Sequence, residues 1–329
     1  MKRQLSVFLK GAGMGAADAV PGVSGGTIAF VTGIYEELID TIRRFGPAAI
    51  GAWRRGGPAG LAVHLNLAFA LPLLAGIAVS LVSVAHLVGW LLDDHPLLLN
   101  GFFFGLVAAS ALVVSRHPAE WRFWHLMPLV VGLSLAHWLP SLMPLVTLLG
   151  SPALMLVVGG AIAISALLLP GVSGSFLLLT MGLYGTVMQG IRGFDLELLS
   201  LFAVGCAIGL FGFSRLLSWL LRHFHMATLQ LLVGFIVGSL PVLWPWRELT
   251  RYQLGPQGQM IPLEYRYLTP DDYAQLTGDA GLLWPVLATM LVGAALVLVL
   301  SLWHGADHAR SGSAPGASRM PDKEDGSHA

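Results

Sequence analysis

One helix-breaking pentapeptide is written twice in this chain. "PGVSG" occupies residues 21–25, inside "ADAVPGVSGGTIAF", and 170–174, inside "LLLPGVSGSFLLL". Each copy cuts an apolar stretch near its middle. Proline removes a backbone donor and stops a helix, and glycine permits positive φ and close approach. The surroundings are lipid-like: 55% of the 329 residues are hydrophobic and only 11% are charged, against about 25% charged in a soluble domain. In lipid, irregular backbone survives only where protein or a water-filled cavity surrounds it. Each break is therefore expected to face the protein interior.

A membrane span needs about 20 apolar residues. Six segments qualify, near 65–92, 96–115, 124–140, 197–221, 226–246 and 281–303. The two interrupted regions, 4–43 and 152–192, have halves too short to span. They read as re-entrant helical hairpins that return to the side they entered from. Charge supports that reading. With the N-terminus in the cytoplasm, that side holds 14 basic residues and the other side 4 (Arg192, Arg247, Arg251 and Arg266), as the positive-inside rule expects. Tryptophans such as Trp90, Trp121, Trp124, Trp138, Trp219, Trp244, Trp284 and Trp303 fall near span ends, where aromatic belts form. The basic start "MKRQLSVFLKG" has too short an apolar run for a signal peptide, so it is expected to be retained. Net charge is zero, so no global field favours nucleic acid as a partner. The single cysteine, Cys206, excludes an internal disulfide.

The pentapeptides belong to a longer repeat. At an offset of 149, nine of the 23 residues 21–43 match, including Gly33 with Gly182, Tyr35 with Tyr184 and Arg43 with Arg192. The offset then falls to 133, where "GFFFG" at 101–105 meets "GFIVG" at 234–238. The difference is an insertion in the first half, near "RFGPAAIGAWRRGGPAG". The fold class expected is an all-α polytopic membrane protein. A first repeat covers 1–145 and a second 146–303, each one re-entrant hairpin plus three spans, before a disordered cytoplasmic tail at 304–329. Three spans are an odd number, so the second repeat is inverted. Transporters of this design bind substrate near the midplane, where broken helices meet.

Ser24 and Ser173 stand where N-caps of the following helices would sit. Two helix starts with free N–H groups make an anion site, for which Ser24, Gly25, Gly26, Thr27, Ser173, Gly174 and Ser175 are candidates. Simple capping is the alternative. Asp18 aligns with Leu167 and has no twin. An acid at membrane depth suggests proton coupling, or a brace for the loop N–H groups. Glu36 is a second coupling candidate, with a solvated position as its alternative. Arg43 and Arg192, one near each face, suit headgroup capture, or interface anchoring. Arg215 lies within a span and can snorkel. The histidines show no metal-ligand spacing, and no cofactor is expected. Residues 247–280 read as an outer loop.

"AADAVPGVSGGTIAFVTGIYEELI" with "LLLPGVSGSFLLLTMGLYGTV" resembles the bacterial polyprenyl-phosphate (undecaprenyl phosphate) transporter family over about residues 5–303. The resemblance implies a translocase of the inner membrane that returns this lipid carrier of cell-wall synthesis to the cytoplasmic leaflet. Its partners would be the polyprenyl-phosphate lipid and membrane lipids. On that reading Ser24, Gly25, Ser173 and Gly174 hold the phosphate. An enzyme alternative is an undecaprenyl-pyrophosphate phosphatase. The second loop of such enzymes places an arginine directly after its serine, whereas Gly25 and Gly174 follow the serines here and no acid accompanies the second loop. A carrier of a small soluble anion is the third reading.

Overall fold

The computed structural model describes residues 2–18, 24–46, 48–115, 124, 126–254, 260–278 and 281–311. Pro21, Gly22 and Val23 of the first pentapeptide lie outside the described residues, as do Trp121 and residues 312–329 of the expected tail.

The chain opens with α1 (Lys2–Asp18), followed after the first break by the short α2 (Gly25–Val31) and by α3 (Tyr35–Arg44). After the second break the same order returns as α8 (Pro152–Leu168), α9 (Gly174–Thr180) and α10 (Tyr184–Gly193). The turn joining the second and third helix of each set is built identically. Gly33 has φ 71° and Gly182 φ 72°. Ile34 N–H bonds Ala29 O, and Leu183 N–H bonds Leu178 O, both at 3.0 Å. A glycine in the left-handed region ends a helix without a Cβ penalty, and it stands at aligned positions in the two halves. Between α9 and α10 the chain bends by 105°.

The longer helices follow: α4 (Ala48–His64), α5 (Leu67–Asp94), α6 (Pro96–Ser115) and α7 (Leu126–Leu142) in the first half, α11 (Leu196–His223) and α12 (His225–Ser239) in the second. Helix α4 is the insertion expected from the change of offset. It bends at Gly57–Pro58 and buries no residue. The chain closes with β1 (Arg247–Leu254), β2 (Met260–Tyr267), α13 (Pro270–Thr277) and α14 (Leu283–Ser311). A helix stands at each of the six expected spans. Among the described residues α6, α11 and the stretch His225–Leu243 are long and apolar enough to cross a membrane, with shorter apolar helices at Leu126–Pro140, Pro152–Leu168 and Leu283–Val299. Large apolar side chains such as Leu74, Val82, Ile208, Leu291 and Val292 are exposed. Apolar surface this extensive suits contact with lipid rather than water.

Backbone contact pairs the helices. Helix α1 lies along α5, and α8 along α11. A Cβ on Gly76 would run into Phe8 O, and one on the aligned Gly209 into Ala161 O. The next pairs cross between the halves: α6 packs on α14, and α12 on α7. Gly105 of "GFFFG" abuts the backbone of Met290, and Gly234 of "GFIVG" that of Leu129. Both motifs are thus packing surfaces.

The all-α expectation needs one amendment. Residues 247–280 hold an antiparallel hairpin, β1 on β2, and the helix α13 N-capped by Thr269. "RELTRYQL" and "MIPLEYRY" mix polar with apolar residues and carry three tyrosines between them, a composition that suits a half-buried strand. Trp244 and Trp246 tie this cap down by donating to Leu268 O at 3.0 Å and Gly281 O at 2.6 Å. Helix α14 continues eight residues past the tail boundary expected after Trp303.

Candidate functional site

The start of α2 is held by two side chains. Ser24, in extended backbone, accepts from Gly26 N–H at 3.2 Å. Asp18, the last residue of α1, accepts from Gly25 N–H at 2.6 Å. At the other end of α2, Lys10 Nζ donates to Thr32 O at 2.8 Å. An acid at the N-terminus and a cation at the C-terminus both oppose the helix dipole, each worth about 0.3–1 kcal/mol and more where partly buried. The α1–α2 hairpin is therefore clamped at both ends by charge.

Among the described residues the second break has no such clamp. Gly159 and Leu167 occupy the positions aligned with Lys10 and Asp18. Gly171 takes φ +82° and lies against Phe235 O and Ser239 Oγ. Ser173 accepts from Phe176 N–H at 3.4 Å and sits 3.1 Å from Ser175 Oγ. Gly174 is pressed on the carbonyl of Ala163, and Ser175 is exposed.

The first half meets the second break directly. Gly171 N–H donates to Thr27 Oγ1 at 3.0 Å, and Tyr35 OH donates to Leu168 O at 2.7 Å. Ser24 Oγ faces Leu169 O at 3.4 Å. These are backbone groups that the end of α8 leaves without helical partners. A buried polar group left unpaired costs about 1–3 kcal/mol, so the three side chains stabilise an otherwise costly break. Ser24 and Thr27 are buried, with Thr27 fully enclosed.

Of the expected site residues, the structure brings Ser24, Gly25, Gly26, Thr27 and Asp18 together beside Leu169 and Gly171. Ser173 and Ser175 bond within their own loop. Arg43 and Arg192 lie toward opposite ends of α11. Asp40, one turn before Arg43, receives Ser218 Oγ at 2.8 Å and Arg222 Nη2 at 2.9 Å near the end of α11, whereas Arg192 precedes its N-cap Asp195. At about 1.5 Å per residue, the 28 residues of α11 separate them by roughly 40 Å. Glu36 is exposed and its Oε1 lies 2.8 Å from His225 Nε2, apart from the loops. Tyr35 and Lys10 are contact residues that the sequence reading does not single out. The signal for Lys10 is a cation inside an apolar segment. Tyr35 is visible only as a repeat match. Among the described residues no cluster of His, Cys, Asp or Glu could hold a metal.

Comparison with known proteins adds identity to this geometry. The chain is 43% identical over 298 residues to a polyprenyl-phosphate transporter of Vibrio cholerae, covering 91% of this chain and 96% of that protein. It is 32% identical over 259 residues to a polyprenyl-phosphate transporter of Staphylococcus aureus, covering 72% of this chain and 85% of that one. No solved structure matches it. Residues 14–261, which include both broken-helix loops, match the model of one family, and the chain thus belongs to the undecaprenyl phosphate translocase-like family.

Proposed function

We propose that this protein is a translocase that carries undecaprenyl phosphate from the outer to the cytoplasmic leaflet of the inner membrane, returning the carrier for cell-wall synthesis. The observation that carries the reading is the direct meeting of two broken helices, with Thr27 on Gly171 N–H and Tyr35 on Leu168 O. Polar backbone enclosed within an apolar helical protein is rarely kept for packing alone. The names of the relatives supply the substrate class.

On this reading residues 1–145 and 146–303 are inverted repeats. The hairpins 4–43 and 152–192 enter from opposite faces, and the termini are cytoplasmic. Alternating access rocks one half against the other around the loops. The phosphate binds between Ser24–Gly25–Gly26–Thr27 and Ser173–Gly174–Ser175, replacing the contacts those groups now make with one another. Asp18 accepts the Gly25 N–H that a phosphate oxygen would take. A phosphate must displace it, and protonation of its carboxyl would ease that exchange. Glu36, paired with His225 at the surface, is the second coupling group. Arg43 and Arg192 receive the headgroup at the two faces. Transport without hydrolysis fits the buried Gly174 after the second loop serine, where a phosphatase of the related kind would place a guanidinium. Release of inorganic phosphate from the pyrophosphate lipid by purified protein would overturn that assignment.

The deciding experiment is leaflet-specific labelling of undecaprenyl phosphate in cells depleted of the protein. Accumulation at the outer surface is expected, and unchanged surface exposure would end the translocase reading. The double variant Ser24→Ala/Ser173→Ala is expected to weaken binding of the phosphate lipid. Unchanged affinity would leave both serines as helix caps only.

A further inference from the structure

Four arginines converge where α3 ends, α4 begins and α11 ends. Arg43, Arg44, Arg215 and Arg222 line a cleft of about 490 Å³ together with His64 and His223. The carboxylate that faces this cluster among the described residues is Asp40. It is engaged by Arg222 through both oxygens, at 2.9 and 3.1 Å, and by Ser218. Arg215 spends Nη1 on Phe211 O. The remaining donors are not spent. Arg43 Nε forms an ion pair with Asp40 at 3.5 Å but makes no hydrogen bond there, and it is buried without a hydrogen-bond partner among the described residues. His64 Nε2 is in the same condition. Arg44 makes no hydrogen bond or ion pair among the described residues.

We propose that this cleft is a binding site for a phosphate monoester headgroup, a second station distinct from the paired loops. Topology alone would favour basic residues on one face, but solvated, scattered cations satisfy that need. It does not call for four guanidiniums drawn from two helices into one cavity, with buried nitrogens lacking partners among the described residues. A dianionic phosphate with three terminal oxygens matches forked donors approaching from several sides. Trp219 forms part of the wall and suits the membrane–water boundary, where a lipid headgroup resides. The station rests on the translocase reading for the identity of its lipid, and not for its affinity toward phosphate.

The test uses the full chain in nanodiscs of zwitterionic lipid, carrying Ser24→Ala/Ser173→Ala so that the loop site is weakened. The probes are farnesyl phosphate, inorganic phosphate and added phosphatidylglycerol. Farnesyl phosphate is expected to bind, and Arg44→Gln to weaken it about tenfold with the melting temperature unchanged. Arg215→Gln should act in the same direction, and Arg44→Lys should restore part of the affinity. Equal affinity in Arg44→Gln and Arg215→Gln would overturn the proposal. So would binding of inorganic phosphate as tight as that of farnesyl phosphate, which indicates a soluble-phosphate site. Equal competition by phosphatidylglycerol would reduce the cleft to a generic anionic-lipid surface. A protein that binds here but leaves leaflet exposure unchanged in cells would sink the translocase reading and leave this site standing.

Discussion

At the scale of single residues, the loop side chains face each other rather than an open chamber. Thr27 shows this most clearly. Its hydroxyl accepts the Gly171 N–H across the boundary between the halves. Thr27→Val keeps the shape and orphans that N–H, so a loss of about 1–3 kcal/mol is expected, read as a lower unfolding temperature in detergent. Thr27→Ser should retain most of the stability. Asp18→Asn keeps an oxygen for Gly25 N–H and removes the charge. Folding should survive, while the pH dependence of lipid transport flattens. A wild-type pH profile in that variant would exclude Asp18 as the proton carrier. That Asp18 has no twin is legible in the sequence. That its carboxyl accepts the Gly25 N–H at the start of α2 is not, because this depends on how α1 and α2 lie side by side.

Among the elements, close helix contacts are carried by glycines, and substitutions should separate contact glycines from idle ones. Gly234 has its α-carbon against the backbone of Leu129 on α7. Gly234→Leu should force the helices apart and destabilise by about 1–3 kcal/mol or more. Gly212, also in a helix, has open space where a Cβ would stand, with nothing within 4 Å. Gly212→Ala should therefore be neutral or gain up to about 1 kcal/mol. Thermal unfolding of the two variants distinguishes these outcomes. The matching of Gly33 with Gly182 and the presence of an insertion where α4 stands are legible because they follow from alignment offsets; that the glycines make turns and the insertion a helix is seen only in the structure. The β-hairpin is not, because a mixed polar stretch between spans reads as loop until two strands are seen to pair. The meeting of Tyr35 with Leu168 is also hidden, since 133 residues separate them and no periodicity reports such a contact.

For the whole molecule, the crossed pairs α6–α14 and α12–α7 mean that neither half can bury its own third long helix. Residues 1–145 or 146–303 expressed alone should fail to yield monodisperse protein, and co-expression should restore an assembled pair that co-purifies. Recovery of a stable single half would contradict the exchange of helices. The repeat is readable from the sequence, but this exchange is not, since alignment says which segments correspond and nothing about which ones touch. The charge clamp on α2, with Lys10 at one end and Asp18 at the other, has a consequence at this scale. Two equal halves rocking about a shared centre would hold their two open states at the same free energy, each half populated. A clamp present in one half alone lifts that degeneracy. On the rocking mechanism proposed above, the resting molecule would favour one side of the membrane before any substrate arrives, and Lys10→Met/Asp18→Leu, which removes both charged groups of the clamp, should move that resting population toward parity.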